Sequence, residues 1–213
     1  MRSIPYRHAG PRILAQQYRN ESTLAGNETA AAAAAAEVDP FDKVDLRVGV
    51  IERVSRHEAA DSLYVLSINL GEKQDEAAVP RTVVSGLVSY YSQEQLTGKR
   101  VVMLANMKPR KLRGITSQGM LLAASSAGAN GDISVEVIEA CMAARAGDPV
   151  TLLGSKYLTE PLGKKTPVKR QRIIDAFIDG LSLDSRMVFY RGKQLMAGSE
   201  AIATQSLRTG VIG

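Results

Sequence analysis

The sequence predicts an all-β core, a small barrel of five main strands, followed by a small α+β appendage. Between Phe41 and Gly154, short β-type runs alternate with turn residues, and few strong helices separate them. Parallel neighbours need crossovers of a dozen residues or more, so an antiparallel arrangement fits these short connections. Beyond residue 155, a set of apolar residues at helix spacing precedes a short β run.

In chain order, residues 1–40 read as a tail or linker that ends in the run Ala30 to Ala36. An alanine run of this length is marginal as an isolated helix and has no apolar face to pack. Val44 to Val54 alternates, with apolar Val44, Leu46, Val48 and Val50 in one phase and Asp45, Arg47 and Gly49 in the other. An undistorted strand places Leu46, Val48 and Val50 inward and Arg47 and Arg53 together on the opposite face. Leu63 to Leu70 is the second run, and Arg81 to Tyr91 the third. Arg100 to Leu104 leads into a basic loop, and Gly119 to Ala124 leaves it. Asp132 to Ile138 and Pro149 to Leu153 complete the set. Five short main strands of this kind suit a five-stranded OB-fold barrel over residues 41–154. In the appendage, residues 155–213, Ile173, Ile174, Phe177, Ile178 and Leu181 have helix spacing, and Val188 to Tyr190 read as a strand.

The composition excludes several function classes. Hydrophobic residues make up 45% and charged residues 23% of the 213 residues, which is ordinary globular usage. No uninterrupted apolar run reaches the roughly 18 residues that a membrane helix requires, so no membrane partner is expected. Cys141 has no second cysteine to pair with, and His8 and His57 cannot assemble a multi-ligand zinc set. A reducing, cytoplasmic setting is expected, with no metal and no cofactor. The four arginines before Glu21, with no acid among them, match the composition of an organellar transit peptide as well as that of a disordered leader. Val84-Ser85-Gly86-Leu87 lacks the glycine two residues before a nucleophilic serine and has no histidine base beside it. Phosphate-loop and dinucleotide fingerprints are missing from the sequence. The chain is expected not to be an enzyme.

Lysine and arginine exceed the acids by 27 to 22, and the surplus lies in residues 155–213, which carry ten bases against five acids. The informative concentration is elsewhere. Asn106 to Met120 holds Lys108, Arg110, Lys111 and Arg113 within six residues, with Pro109 inside the run and Gly114 and Gly119 after it. Proline opposes regular pairing and glycine permits turns, so the charges are presented on a loop. These cations can neutralise phosphates, while Ser117 and Gln118 can donate to phosphate or base edges and Met120 shapes the adjoining surface. A solvated basic hairpin with no ligand carries the same charge pattern. Position favours binding, because the connection between the last two barrel strands is where OB-folds hold oligonucleotides.

Further candidates surround this loop. Arg47 is placed either against RNA or in a surface pair with Asp45. Arg56 and His57 lie in the connection between the first two strands, another binding edge, where His57 can stack on a base. Tyr64, Tyr90 and Tyr91 offer stacking platforms, though with aromatics at only 5% at least one is expected in the core. Lys164, Lys165, Lys169, Arg170 and Arg172 either extend the phosphate surface or form a basic linker.

Four blocks carry a family resemblance, in order: Asp45-Leu46-Arg47-Val48-Gly49, Arg56 to Tyr64, Arg81-Thr82-Val83-Val84-Ser85-Gly86-Leu87, and Asn106 to Met120. Together they resemble the tRNA-binding domain family. Phe177-Ile178-Asp179-Gly180, Met187 to Gly192 and Ala203 to Gly213 resemble the C-terminal domain of its endothelial monocyte-activating polypeptide II-like branch. The resemblance implies an OB-fold that binds tRNA without catalysis. It also implies a C-terminal domain that replaces the second subunit of shorter dimeric relatives, and so a monomeric binding unit. Three biological settings follow. The chain is a tRNA-binding auxiliary of aminoacyl-tRNA synthetases or a multi-synthetase scaffold, the C-terminal portion of a methionyl- or tyrosyl-tRNA synthetase, or a released cytokine-like polypeptide.

Overall fold

The computed structural model describes residues 39–75, 77–128, 130–155, 166–168 and 171–213. The expected tail up to residue 38 and Lys164, Lys165, Lys169 and Arg170 lie outside the described residues.

A one-turn helix, α1 (Pro40–Lys43), opens the described chain. Asp39 caps it by accepting the Phe41 N–H at 2.9 Å, and proline sits where its missing donor costs nothing. β1 (Leu46–His57) and β2 (Ala60–Asn69) form a long antiparallel hairpin. The two-residue strands β3 (Lys73–Gln74) and β4 (Ala77–Ala78) make a small ribbon before β5 (Arg81–Ser85). The apolar residues after Ser85 do not extend that strand. They form a turn in which Tyr90 and Tyr91 both donate backbone N–H groups to the Leu87 carbonyl at 3.0 Å. Ser92 and Gln95 then form a reciprocal capping box on α2 (Gln93–Leu96), whose Leu96 is fully buried. β6 (Arg100–Leu104), the hairpin β7 (Arg110–Leu112) and β8 (Ile115–Ser117), and β9 (Met120–Leu121) follow.

The sheet order β5-β2-β1-β6-β9 is antiparallel throughout. Its ends curl together without a continuous ladder, so the expected barrel is not closed. One main-chain bond and two side-chain bonds bridge the gap instead. Gln118 N–H donates to the Thr82 carbonyl at 2.8 Å, Thr82 N–H donates to Gln118 Oε1 at 2.8 Å, and Val84 N–H donates to Ser117 Oγ at 3.2 Å.

A second sheet joins β10 (Ala123–Ala127) and β11 (Ile133–Val137) to strands from the end of the chain. Its order runs β11-β10-β17-β13-β14-β15-β12, with β16 beside β15. The remaining members are β12 (Val150–Leu152), β13 (Leu181–Asp184), β14 (Met187–Tyr190), β15 (Lys193–Ala197), β16 (Glu200–Ala201) and β17 (Thr209–Ile212). Helix α3 (Gln171–Asp179) buries Ile174 and Phe177 against this side.

Two apolar cores therefore flank one wall. Val101 and Met103 of β6 enter the barrel core with Ile51, Tyr64, Leu66 and Val83, while Val102 and Leu104 enter a second core with Phe177, Val188 and Tyr190. Burial on both faces explains why β6 is a continuous apolar run and not an alternating one. Of the three tyrosines offered as stacking platforms, Tyr64, 2% exposed, is the one that the core takes. At the outer edge of the second core, the Tyr190 hydroxyl donates to Asp39 Oδ1 at 2.5 Å, and Arg191 donates to Asp39 Oδ2 at 2.9 Å. Phe41 packs on the Tyr190 ring at 5.2 Å, fastening α1 to β14. Burial and then the Asp39 bond push the Tyr190 pKa up to about 12.

Double coverage also overturns the expected outward face of β1. Leu46, Arg47, Val48 and Gly49 are all buried, and the register slips between Ile51 and Arg53. That bulge inverts the phase, so Arg53 is exposed while Arg47, six residues earlier, is 5% exposed. Val50, expected inward, is only half-buried.

Candidate nucleic-acid interface

The basic segment is a second hairpin, not an open loop. Pro109 ends just before it, so no ladder donor is lost. Arg110 pairs with Ser117, Lys111 with Thr116 and Leu112 with Ile115, leaving Arg113 and Gly114 as a two-residue turn. Both turn residues are left-handed, with φ of 48° and 96°, as a type I′ connection requires. Lys108, Lys111 and Arg113 are exposed, and Arg110 is half-buried. Two exposed cations thus stand on the short ribbon, and Lys108 lies just before it.

Buried polar contacts hold this ribbon to the barrel. Asn106, 6% exposed, accepts the Asp45 N–H on Oδ1 at 2.8 Å. Its amide nitrogen donates to the carbonyls of Lys43 at 2.8 Å and Thr166 at 3.1 Å. Arg81 makes a two-pronged ion pair with Glu72, at 2.8 and 2.5 Å, and donates to the Ala105 carbonyl at the base of the ribbon. Gly119 is required where the chain leaves, because a Cβ there would lie 2.0 Å from the Met103 methyl carbon and 2.9 Å from the Leu104 carbonyl.

Ten residues were expected at the binding surface, and the structure separates them. Lys108, Lys111, Arg113, Gln118 and Arg56 are exposed, and Arg110 is partly so. Arg47, His57, Ser117 and Met120 are at most 5% exposed and cannot contact a ligand without unfolding their surroundings. Arg47 is paired with Asp45 at 2.7 Å and donates to the Gly147 carbonyl. His57 accepts the Ala59 N–H on Nδ1 at 3.0 Å and places Nε2 3.4 Å from the Leu112 carbonyl, so the ring props the ribbon. The Ser117 hydroxyl accepts from Val84 and donates to the Gly119 carbonyl at 3.0 Å. Met120 fills the second core. Asn106 and Arg81 were not singled out by sequence reading. Their only signal is position, a polar residue at the end of an apolar strand and an arginine at the start of one.

A groove of about 530 Å³ opens beside the β1–β2 end. Arg56, one residue from His57, lines it together with Tyr64, Tyr90 and Tyr91. The Arg56 guanidinium lies 6.0 Å above the Tyr64 ring. The Tyr64 hydroxyl donates to the Tyr91 carbonyl at 3.0 Å, and the Tyr91 hydroxyl accepts the Val137 N–H at 3.1 Å. Burial pushes the Tyr91 pKa up, which keeps its hydroxyl neutral across the physiological range.

Residues 46–149 match the family model described as a putative tRNA binding domain. The cytoplasmic tyrosine–tRNA ligase of Xenopus laevis is 40% identical over 177 residues, covering 83% of this chain and 32% of the ligase. The cytoplasmic methionine–tRNA ligase of Caenorhabditis elegans is 35% identical over 183 residues, covering 84% of this chain and 18% of the ligase. The chain thus spans about a third or less of the length of these relatives. Among solved structures, the C-terminal domain of Plasmodium vivax p43 superposes with a TM-score of 0.71 at 26% identity, covering 83% of this chain and all of that one. Both ligase alignments run longer than the domain that the family model covers, so the likeness is not confined to the barrel. Residues 46–149 are thus a match to the putative tRNA binding domain family, and the tyrosine– and methionine–tRNA ligases are relatives of the chain.

Proposed function

We propose that the chain binds tRNA without catalysing a reaction and holds it close to an aminoacyl-tRNA synthetase. The single observation that carries this reading is the β7–β8 ribbon. Lys111 and Arg113 are exposed on it and Lys108 just before it, while Asn106, His57 and Ser117, which fasten it, are buried. Cations on a rigid ribbon neutralise phosphates without reading bases, so recognition is of tRNA shape and extends across tRNA species. Retaining tRNA near a synthetase raises its local concentration and leaves the chemistry to that enzyme. In this reading residues 41–154 are the binding unit, and residues 155–213 cover its second face and keep it monomeric. The setting is cytoplasmic, and the partners are tRNA and a synthetase or multi-synthetase scaffold.

The comparisons favour a second reading as well. The matched region lies within longer tyrosine– and methionine–tRNA ligases, so these residues serve as the tRNA-binding portion of such a ligase. An immunoblot of the endogenous protein distinguishes the two by mass.

Fluorescence anisotropy with several purified tRNAs and with duplex DNA tests the proposal. The intact protein is expected to bind the tRNAs with similar affinity and better than the DNA. A variant with Lys108→Ala, Lys111→Ala and Arg113→Gly, unchanged in circular dichroism, is expected to lose most of that affinity. Equal tRNA affinity of the two proteins would overturn the assignment.

A further inference from the structure

We infer that the groove beside the ribbon receives one unpaired base of the bound RNA, stacked on the Arg56 guanidinium and the Tyr90 ring. The inference rests on the RNA-binding reading and adds a second, chemically different contact to it.

The groove has the volume of a small-ligand site, about 530 Å³, and Arg56, Tyr64, Val88, Ser89, Tyr90 and Glu94 line it. Its floor is rigid, because Tyr64 and Tyr91 each use their hydroxyl in a bond within the protein. Arg56 is exposed and lies over the buried Tyr64 ring, so one face of the guanidinium is backed by protein. The outer face of a planar cation in that position stacks on a base. Tyr90 is half-buried beside it, anchored by its N–H to the Leu87 carbonyl. Glu94 also lines the groove, and its carboxylate disfavours a phosphate there, so the groove suits a base over the backbone.

Position supports the same conclusion. Arg56 adjoins His57, whose ring reaches the Leu112 carbonyl of the ribbon. Both the ribbon and the groove are therefore joined to the β1–β2 end of the barrel. A duplex cannot insert a paired base, so the occupant is a single-stranded nucleotide flanking the stem that the ribbon holds.

The experiment compares two synthetic RNAs in anisotropy titrations, a blunt hairpin stem and the same stem with a four-adenosine overhang. The intact protein is expected to favour the overhang by roughly tenfold, the order that one or two stacked bases supply. Tyr90→Ala and Arg56→Gln are each expected to abolish that preference, with Tyr90→Ala leaving affinity for the blunt stem unchanged. The Lys108, Lys111 and Arg113 variant is expected to weaken both RNAs alike and to retain the preference. An intact protein that binds both RNAs equally, or a Tyr90→Ala variant that keeps the preference, overturns the inference. Only failure of the three-cation variant to weaken either RNA counts against the underlying RNA-binding reading. Tyr90→Phe keeps the ring and is expected to keep the preference, which separates stacking from loss of fold.

Discussion

Replacing Arg47 by methionine tests whether its role is internal. The Arg47 and Asp45 side chains are 6% and 5% exposed and meet at 2.7 Å. Removing the guanidinium leaves the Asp45 carboxylate buried without its partner, and breaking one side of such a pair costs about 3–5 kcal/mol. For a domain of this size, that corresponds to a fall in melting temperature on the order of 10 °C. Arg47→Met combined with Asp45→Asn removes both charges, so the double variant should be less destabilised than the sum of the singles. The expected coupling is about 2 kcal/mol or more. Urea unfolding followed by circular dichroism measures all four corners of the cycle, and anisotropy measures tRNA affinity of the folded fraction at low temperature. The expected result is a large stability loss with unchanged tRNA affinity. Arg47→Met at wild-type stability with tRNA binding weakened tenfold would place Arg47 on the RNA and refute the reasoning.

Ser117→Ala should behave in the same way on a smaller scale. It strands the Val84 N–H at the gap between β5 and the ribbon, costing about 1–3 kcal/mol in thermal unfolding with little change in tRNA affinity. Tyr190→Phe should lower stability at pH 8 by on the order of 1 kcal/mol, since the Tyr190 bond to Asp39 is lost at a partly exposed site. Its pKa is raised to about 12 in the folded protein, so the contribution is full below the unfolded value near 10 and disappears as pH rises through 12. The difference between wild type and Tyr190→Phe should therefore shrink in unfolding curves recorded from pH 9 to 11.

How much was legible in the sequence depended on what sat opposite each residue. The β6 run was readable because Val101 to Leu104 is apolar on both faces. The ribbon was readable as a basic segment with turn glycines, although Pro109 suggested an open loop, and only the structure shows that the proline falls outside the pairing. Arg47 was misplaced for a physical reason. Leu46 and Val48 pack into the second core under the C-terminal strands and not into the barrel, and Arg47 therefore lies on the barrel side of β1 opposite Met103. His57 and Ser117 were misread because their partners are the Leu112 carbonyl and the Val84 N–H, main-chain groups far along the chain that leave no mark in side-chain chemistry. The open seam between the sheet ends was equally hidden, since Gln118 bridges it through its own side chain.

The central claim is that three exposed cations on and just before the β7–β8 ribbon hold tRNA through its phosphates, and its salt dependence is the most direct measurement. Each phosphate neutralised contributes at least the single-strand value of about 0.7 to the log–log slope, so Lys108, Lys111 and Arg113 together account for a slope of roughly 2 or more. Raising salt from 50 to 200 mM should then weaken the intact protein roughly 15-fold more than the variant lacking all three charges. Parallel salt plots for the two proteins would contradict the account.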